Sequence, residues 1–177
     1  MALQTAVLAA MVAAKQWTLI TGTPVVLETR PIDPRSLFRG DYVRFDYAIG
    51  RLSANLPGAT DDFWPHDKIY VLLVKDEPYW RPVSLHRERP AAPPDHVVIK
   101  GRFSYGGGTA SGGRRATDVH VEYGIEDYFV PEGEGRALER PAPDEKITVR
   151  VAVDRYGNPG IQAILVNGKE RYVEKLF

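Results

Sequence analysis

The sequence predicts a mainly β domain, an antiparallel barrel or sandwich with an N-terminal helix and one short helical or irregular crossing segment. Apolar and polar residues alternate with period two in several segments, as in strands with one buried face. The 16 glycines and 14 prolines of the 177-residue chain divide it into short elements. Near its end Asn167-Gly168 stands between two apolar runs, where a type I′ turn needs positive φ at both central positions. A chain of this length supports one core comfortably. The expected organisation is an apolar helix over residues 1–22 and a single β-rich unit over 23–177.

The first element is Ala2 to Ala14, which carries no charge and ends at Lys15, Gln16 and Trp17. A membrane-spanning helix needs about 20 apolar residues, more than this run supplies. No basic stretch of the kind that opens a secretory signal precedes it. Two readings stand: a helix packed on the core of its own domain, or the outer half of a truncated membrane anchor with Lys15 and Trp17 at the interface.

Beyond Gly22 the strands follow in order. Pro24 to Arg30 is the first and Asp41 to Ile49 the second, with Val43, Phe45, Tyr47 and Ile49 on the buried face and Tyr42, Arg44 and Asp46 on the other. Asp67 to Lys75 and Tyr79 to His86 form a hairpin around Asp76, Glu77 and Pro78. Pro82 has no N–H for a ladder, so the second arm is an edge or a bulged strand. Arg87 to His96 is a proline-rich connector. His96 to Tyr105 pairs with Arg115 to Ile125 across a glycine-rich loop, and Glu126 to Pro143 breaks the pattern as a crossing connection with a helical turn near Gly135 to Arg140. There Phe129 and Val130 are expected to plug one end of the core. Glu145 to Asp154, Ile161 to Val166 and the segment after Asn167-Gly168 complete a meander. Phe45, Tyr70 and Trp80 are expected to fill the interior, which leaves no room there for a small ligand.

Lys plus Arg and Asp plus Glu each total 23. With no net charge the chain has no field for collecting phosphate backbones, so nucleic acid is not an expected partner. The absence of cysteine removes disulfides, thiolate zinc sites and thiol nucleophiles together. His66, His86, His96 and His120 lack the spacing of paired metal ligands, and the loop holding Asp61, Asp62, His66 and Asp67 lacks the graded spacing of a calcium loop. The stretch "SYGGGTASGGRR" has no Gly-Lys-Ser/Thr and leads into a strand, so it is not a phosphate cradle. No cofactor and no metal are expected.

Charge concentrates around "PIDPRSLFRGDYVRFDY". Asp33 before Pro34 is an N-cap followed by a first-turn proline. Arg39-Gly40-Asp41 then reverses the chain, with Arg35 or Arg39 expected to pair with Asp41 or Asp33 around the corner. Three residues are too few for Arg-Gly-Asp to carry a cell-adhesion reading. "LFRGDYV" resembles the Leu-x-x-Gly-Asp-x-Val stretch of serine-lysine signal peptidases. The nucleophile's position, however, is Ile32, and no lysine lies between Lys15 and Lys68, so an activated serine is absent. Glu126 and Glu139 would work as an acid and base pair only if burial separated their pKa values.

Gly40, Asp41, Tyr42, Phe45 and Tyr47 resemble the signature of the bacterial family named for its G-D-Y-x-x-L-x-Y motif, with Phe45 in place of the leucine. "YGIEDYFVPEGEGRALE" resembles that family's second block and "VRVAVDRYGNPGIQAILVNGK" its closing hairpin. The resemblance implies a membrane-anchored protein with a separate folded remainder, found beside or fused to multi-spanning membrane proteins, and it brings no activity. It favours the anchor reading of Ala2 to Ala14.

The expectation is a β domain at a bacterial cytoplasmic membrane, on its outer side, touching an integral membrane protein without catalysis. The expected surface joins Asp33, Pro34, Arg35, Arg39, Gly40, Asp41, Tyr42, Arg44 and Tyr47 to Glu132, Arg136 and Glu139. The alternative is a hydrolase-like enzyme acting on an envelope substrate at Arg39, Asp41 and Glu132.

Overall fold

A computed structural model describes residues 2–30, 42–59, 63–106, 118–130, 138, 142 and 144–174. Helix α1 (Ala2–Thr21) runs directly into strand β1 (Thr23–Arg30). Short strands β2 (Tyr42–Arg44) and β3 (Asp46–Tyr47), a 3-10 turn (Ala48–Gly50) and β4 (Arg51–Ser53) come next. The middle of the chain supplies β5 (Lys68–Asp76), β6 (Tyr79–His86), β7 (His96–Gly106), β8 (Asp118–Glu122) and β9 (Asp127–Phe129). The meander β10 (Ile147–Val153), β11 (Pro159–Val166) and β12 (Lys169–Val173) closes the described chain.

One sheet has the order β12-β11-β10-β1-β3, the other β4-β8-β7-β5-β6, and β2 pairs with β9 as a separate ribbon. Every pairing is antiparallel. Strand β1 lies against β6, so the sheets curl toward a nearly closed barrel. Val25, Leu27, Val149 and Val151 from the first sheet meet Ile69, Val71, Leu73 and Ile99 from the second in one hydrophobic cluster. Each such side chain contributes roughly 1.5–3 kcal/mol on burial, so period-two strands with one apolar face leave the barrel interior as the place to bury them.

Several expectations hold. Strand β6 is an edge, and Leu72 faces Ser84 while Leu73 faces Pro82, so the register slips where proline cannot join the ladder. Asn167 and Gly168 turn with φ of 51° and 76°, the left-handed pair that two-residue hairpins need.

Other expectations are corrected. The described part of Asp41 to Ile49 is not one strand: Tyr42 to Arg44 pair with β9 and Asp46 and Tyr47 with β1, the Phe45 N–H between them donates to the Glu126 carbonyl at 2.7 Å, and the chain winds into the 3-10 turn after Tyr47. Asp127 to Phe129, read as part of a crossing connection, forms β9 against β2. Tyr70 stands between the inward Ile69 and Val71 and is only half-buried, Trp80 packs at the margin of the core, and Phe45 alone of the three expected interior aromatics is fully inside. Val130 is buried as expected, but Phe129 is 81% exposed and does not enter the core. The glycine-rich loop and the expected helical turn over 135–140 lie outside the described residues, Leu138 excepted, which is buried in the core.

Candidate functional site

Of the residues expected to form a contact surface, Asp33, Pro34, Arg35, Arg39, Gly40, Asp41, Glu132, Arg136 and Glu139 lie outside the described residues, and so do the ion pairs and hydrolase-like surface assigned to them. The described part shows how their two segments meet. Tyr42 faces Phe129, Val43 faces Tyr128 and Arg44 faces Asp127 across the β2–β9 ribbon.

Tyr47 is not a surface residue. It is 1% exposed, and its hydroxyl donates to the Ile125 carbonyl at 2.7 Å. Tyr123, also buried, donates to the Ile49 carbonyl at 2.8 Å. The two phenols therefore lock the same pair of segments in opposite directions. Burial first, then the nearby Glu126 charge, push both phenols well above the usual tyrosine range. The Glu126 carboxylate accepts the Tyr123 and Gly124 N–H groups at 2.6 and 2.8 Å. It shapes the backbone there, and Glu139, the residue expected to share acid and base roles with it, lies outside the described residues.

Arg44 projects from the opposite face of β2 to Val43 and lines a polar hollow of about 490 Å³ with Asp46, Arg51, Tyr105, His120 and Glu122. Arg51 reaches Asp46 only at 3.8 Å. The Tyr105 and His120 rings stack with centroids 3.9 Å apart. Burial and the Arg51 charge lower the His120 pKa, which favours a neutral imidazole at pH 7. Ser84 Oγ and His86 Nε2 lie 2.8 Å apart on β6, yet neither lines this hollow or the cleft described next. The loop with His66 and Asp67 is held by structural bonds, Asp67 accepting the Trp64 N–H at 2.9 Å, and no group of three potential metal ligands occurs among the described residues.

The second region surrounds the foot of α1. Every side chain from Gln4 to Lys15 is exposed, and among its described side chains the helix buries only Thr18 and Leu19. Thr18 donates to Asp154 at 3.0 Å, the Leu19 carbonyl accepts from Gln162 at 2.7 Å, and the Gly22 N–H returns to the Thr18 carbonyl at 2.9 Å. Asp154 also accepts the N–H groups of Tyr156 and Asn158 and the Asn158 side-chain amide, each at 2.8 Å. Burial alone would raise its pKa, but the bonds from Asn158, Tyr156 and Thr18 outweigh burial and hold it below the usual carboxylate range.

Beside this joint opens a cleft of about 760 Å³ whose lining includes Trp17, Ile125, Asp127, Tyr128, Tyr156 and Glu174. Trp17 is 66% exposed. The Tyr128 hydroxyl donates to Glu174 at 3.2 Å, and burial, followed by the Glu174 charge, pushes Tyr128 up to about 12. Glu174 also reaches Lys15 at 3.5 Å, and the Arg155 guanidinium lies 4.7 Å over the Tyr156 ring. Sequence reasoning marked Lys15 and Trp17 but missed the cleft, because its walls come from four distant segments with no shared local pattern.

The model of the GDYXXLXY protein family matches residues 4–164, a span that contains Gly40, Asp41, Tyr42, Phe45 and Tyr47. No curated protein and no solved structure matches the chain.

Proposed function

The chain belongs to the GDYXXLXY protein family, and from that premise we propose that it is a non-enzymatic interaction module of a bacterial envelope. The β domain is held at the outer face of the cytoplasmic membrane, and α1 rests in apolar surroundings against an integral membrane protein. One observation carries this reading: the helix leaves Val7, Leu8, Met11 and Val12 exposed on one broad face, with Ala6, Ala9, Ala10, Ala13 and Ala14 around the remainder. A helix that is apolar around its circumference is stable when something apolar covers it. Each of the four large side chains would gain roughly 1.5–3 kcal/mol on leaving water. The alanines let another helix approach closely, as in helix packing within lipid. Among the described residues no helix is long and apolar enough to cross a membrane.

The test is flotation of the full chain with vesicles of mixed phosphatidylethanolamine and phosphatidylglycerol. The wild-type chain is expected to float and the Leu8→Glu/Met11→Glu variant to remain at the bottom. A wild-type chain that never floats would end the reading.

A further inference from the structure

We propose that the cleft at the foot of α1 is a binding site for an organic cation, and that its occupant is the ammonium headgroup of a membrane lipid. The lipid part rests on the function proposed above; the cation part does not.

Among the described residues the lining carries one cation, Lys15, against three carboxylates, Asp127, Asp154 and Glu174. Asp154 is saturated by its own turn and by Thr18. Glu174 holds Tyr128 at 3.2 Å and Lys15 only at 3.5 Å, both partners attached to the cleft wall. Asp127 is exposed on β9, and Arg44, directly across the ribbon, forms no ion pair with it. Among the described residues the cleft therefore has negative charge to spare. Its aromatic lining, with Trp17 and Tyr128 foremost, offers the electron-rich faces that attract ammonium groups, and indole is the strongest of them. Tyr156 already holds the Arg155 guanidinium in this manner. Carboxylates beside aromatic faces fit an alkylammonium better than an anion, which would meet the acids unpaired.

The position of the cleft selects the source of the ammonium. Ala14, Lys15, Trp17 and Thr18 form one wall, and the exposed face of Met11 and Val12 begins about one turn higher on the same helix. A molecule with an ammonium head and apolar tails would seat its head in the cleft and lay its tails along α1. The phosphate between them would meet Lys15 and Arg155 at the rim. A cavity of about 760 Å³ is within the usual range for a small-molecule site.

The test is two-dimensional NMR of the full chain titrated with tetramethylammonium chloride, with sodium chloride at matched ionic strength as control. The Trp17 indole and Asp127 amide signals are expected to move saturably with tetramethylammonium alone. Trp17→Leu and Asp127→Asn should each weaken the binding about fivefold or more, while Trp64→Leu, an exposed tryptophan outside the cleft lining, should leave it unchanged. Vesicles rich in phosphatidylethanolamine should bind the wild-type chain more tightly than phosphatidylglycerol vesicles, and the Asp127→Asn variant should lose that preference. No saturable shift with tetramethylammonium overturns the cation site. A saturable shift with no headgroup preference, or with displacement by pentalysine at lower concentration than by ethanolamine-headed lipid, overturns the lipid assignment and points to a basic protein segment. Failure to bind any vesicle removes the lipid assignment and the proposed function together, whereas loss of the tetramethylammonium shift with vesicle binding intact removes only this inference.

Discussion

Tyr47 and Tyr123 show what the signature residues do in the fold. Each phenol is buried, and each bonds a carbonyl next to the other, Tyr47 to Ile125 and Tyr123 to Ile49. Replacing either by phenylalanine keeps the ring and leaves a buried carbonyl without its donor, which costs about 1–3 kcal/mol. Urea unfolding of Tyr47→Phe and Tyr123→Phe should show losses in that range. Losses below about 0.3 kcal/mol in both would mean that the bonds carry no stability. The same phenols set an alkaline limit. Their folded pKa values lie well above the usual tyrosine value, so the neutral form is the one the fold prefers. Their contribution is complete below the ordinary phenol pKa of about 10 and is lost as pH rises through the folded values. Phenolate absorbance from these two residues should therefore appear together with loss of far-ultraviolet circular dichroism. If they ionise while the chain remains folded, burial is not what holds them.

At the scale of elements, the joint between α1 and the meander depends on Asp154 and Gly22. The Asp154 carboxylate is held below its ordinary pKa, so the stability it lends is present above the unfolded carboxylate pKa and lost as pH falls through the lower folded value. The protection of the amides from Thr18 to Gly22, measured against their intrinsic exchange, should fall in acid. Asp154→Asn should show that lower protection already at neutral pH and lose the acid dependence. Unchanged protection in the variant would mean that Leu19 packing alone fixes the helix. A Cβ on Gly22 would stand 2.6 Å from the Thr18 carbonyl oxygen and 2.9 Å from Val153 N, backbone atoms with little freedom to move. Gly22→Ala should therefore lower stability by about 1–3 kcal/mol in thermal unfolding, and a neutral result would show that the joint opens to admit it.

Elements of this kind differ in how well the sequence reveals them. Val149, Val151 and Val153 alternate with polar or small neighbours over enough residues to declare β10, and Asn167-Gly168 declares the turn after β11 without reference to anything distant. Strand β9 is three residues long and exists because β2 is there to pair with it, so no local period announces it. The break at Phe45 falls where the chain passes from pairing with β9 to pairing with β1, an exchange of partners in space that no spacing encodes. The same holds for the cleft, where Lys15 and Glu174 meet from opposite ends of the chain.

For the molecule as a whole, one core and one projecting helix imply that stability and the membrane association proposed above are separable. The hydrophobic cluster draws on both sheets, whereas residues 4–15 of α1 bury no side chain. Deleting residues 4–13 leaves Thr18, Leu19 and Gly22 to hold the joint and removes Val7, Leu8, Met11 and Val12 with the exposed face they form. Changes confined to exposed positions usually alter stability by no more than about 0.5 kcal/mol, so the shortened chain should unfold at nearly the temperature of the full chain while losing its affinity for vesicles. Its cleft retains Trp17, Tyr128, Asp127 and Glu174, so tetramethylammonium should still bind. The two measurements together would test the proposed division of roles, in which the helix supplies apolar attachment and the barrel supplies the site beside it. A shortened chain that unfolds many degrees lower would show α1 to be part of the barrel's own packing. One that still floats with vesicles would transfer the attachment to the aromatic rim of the cleft.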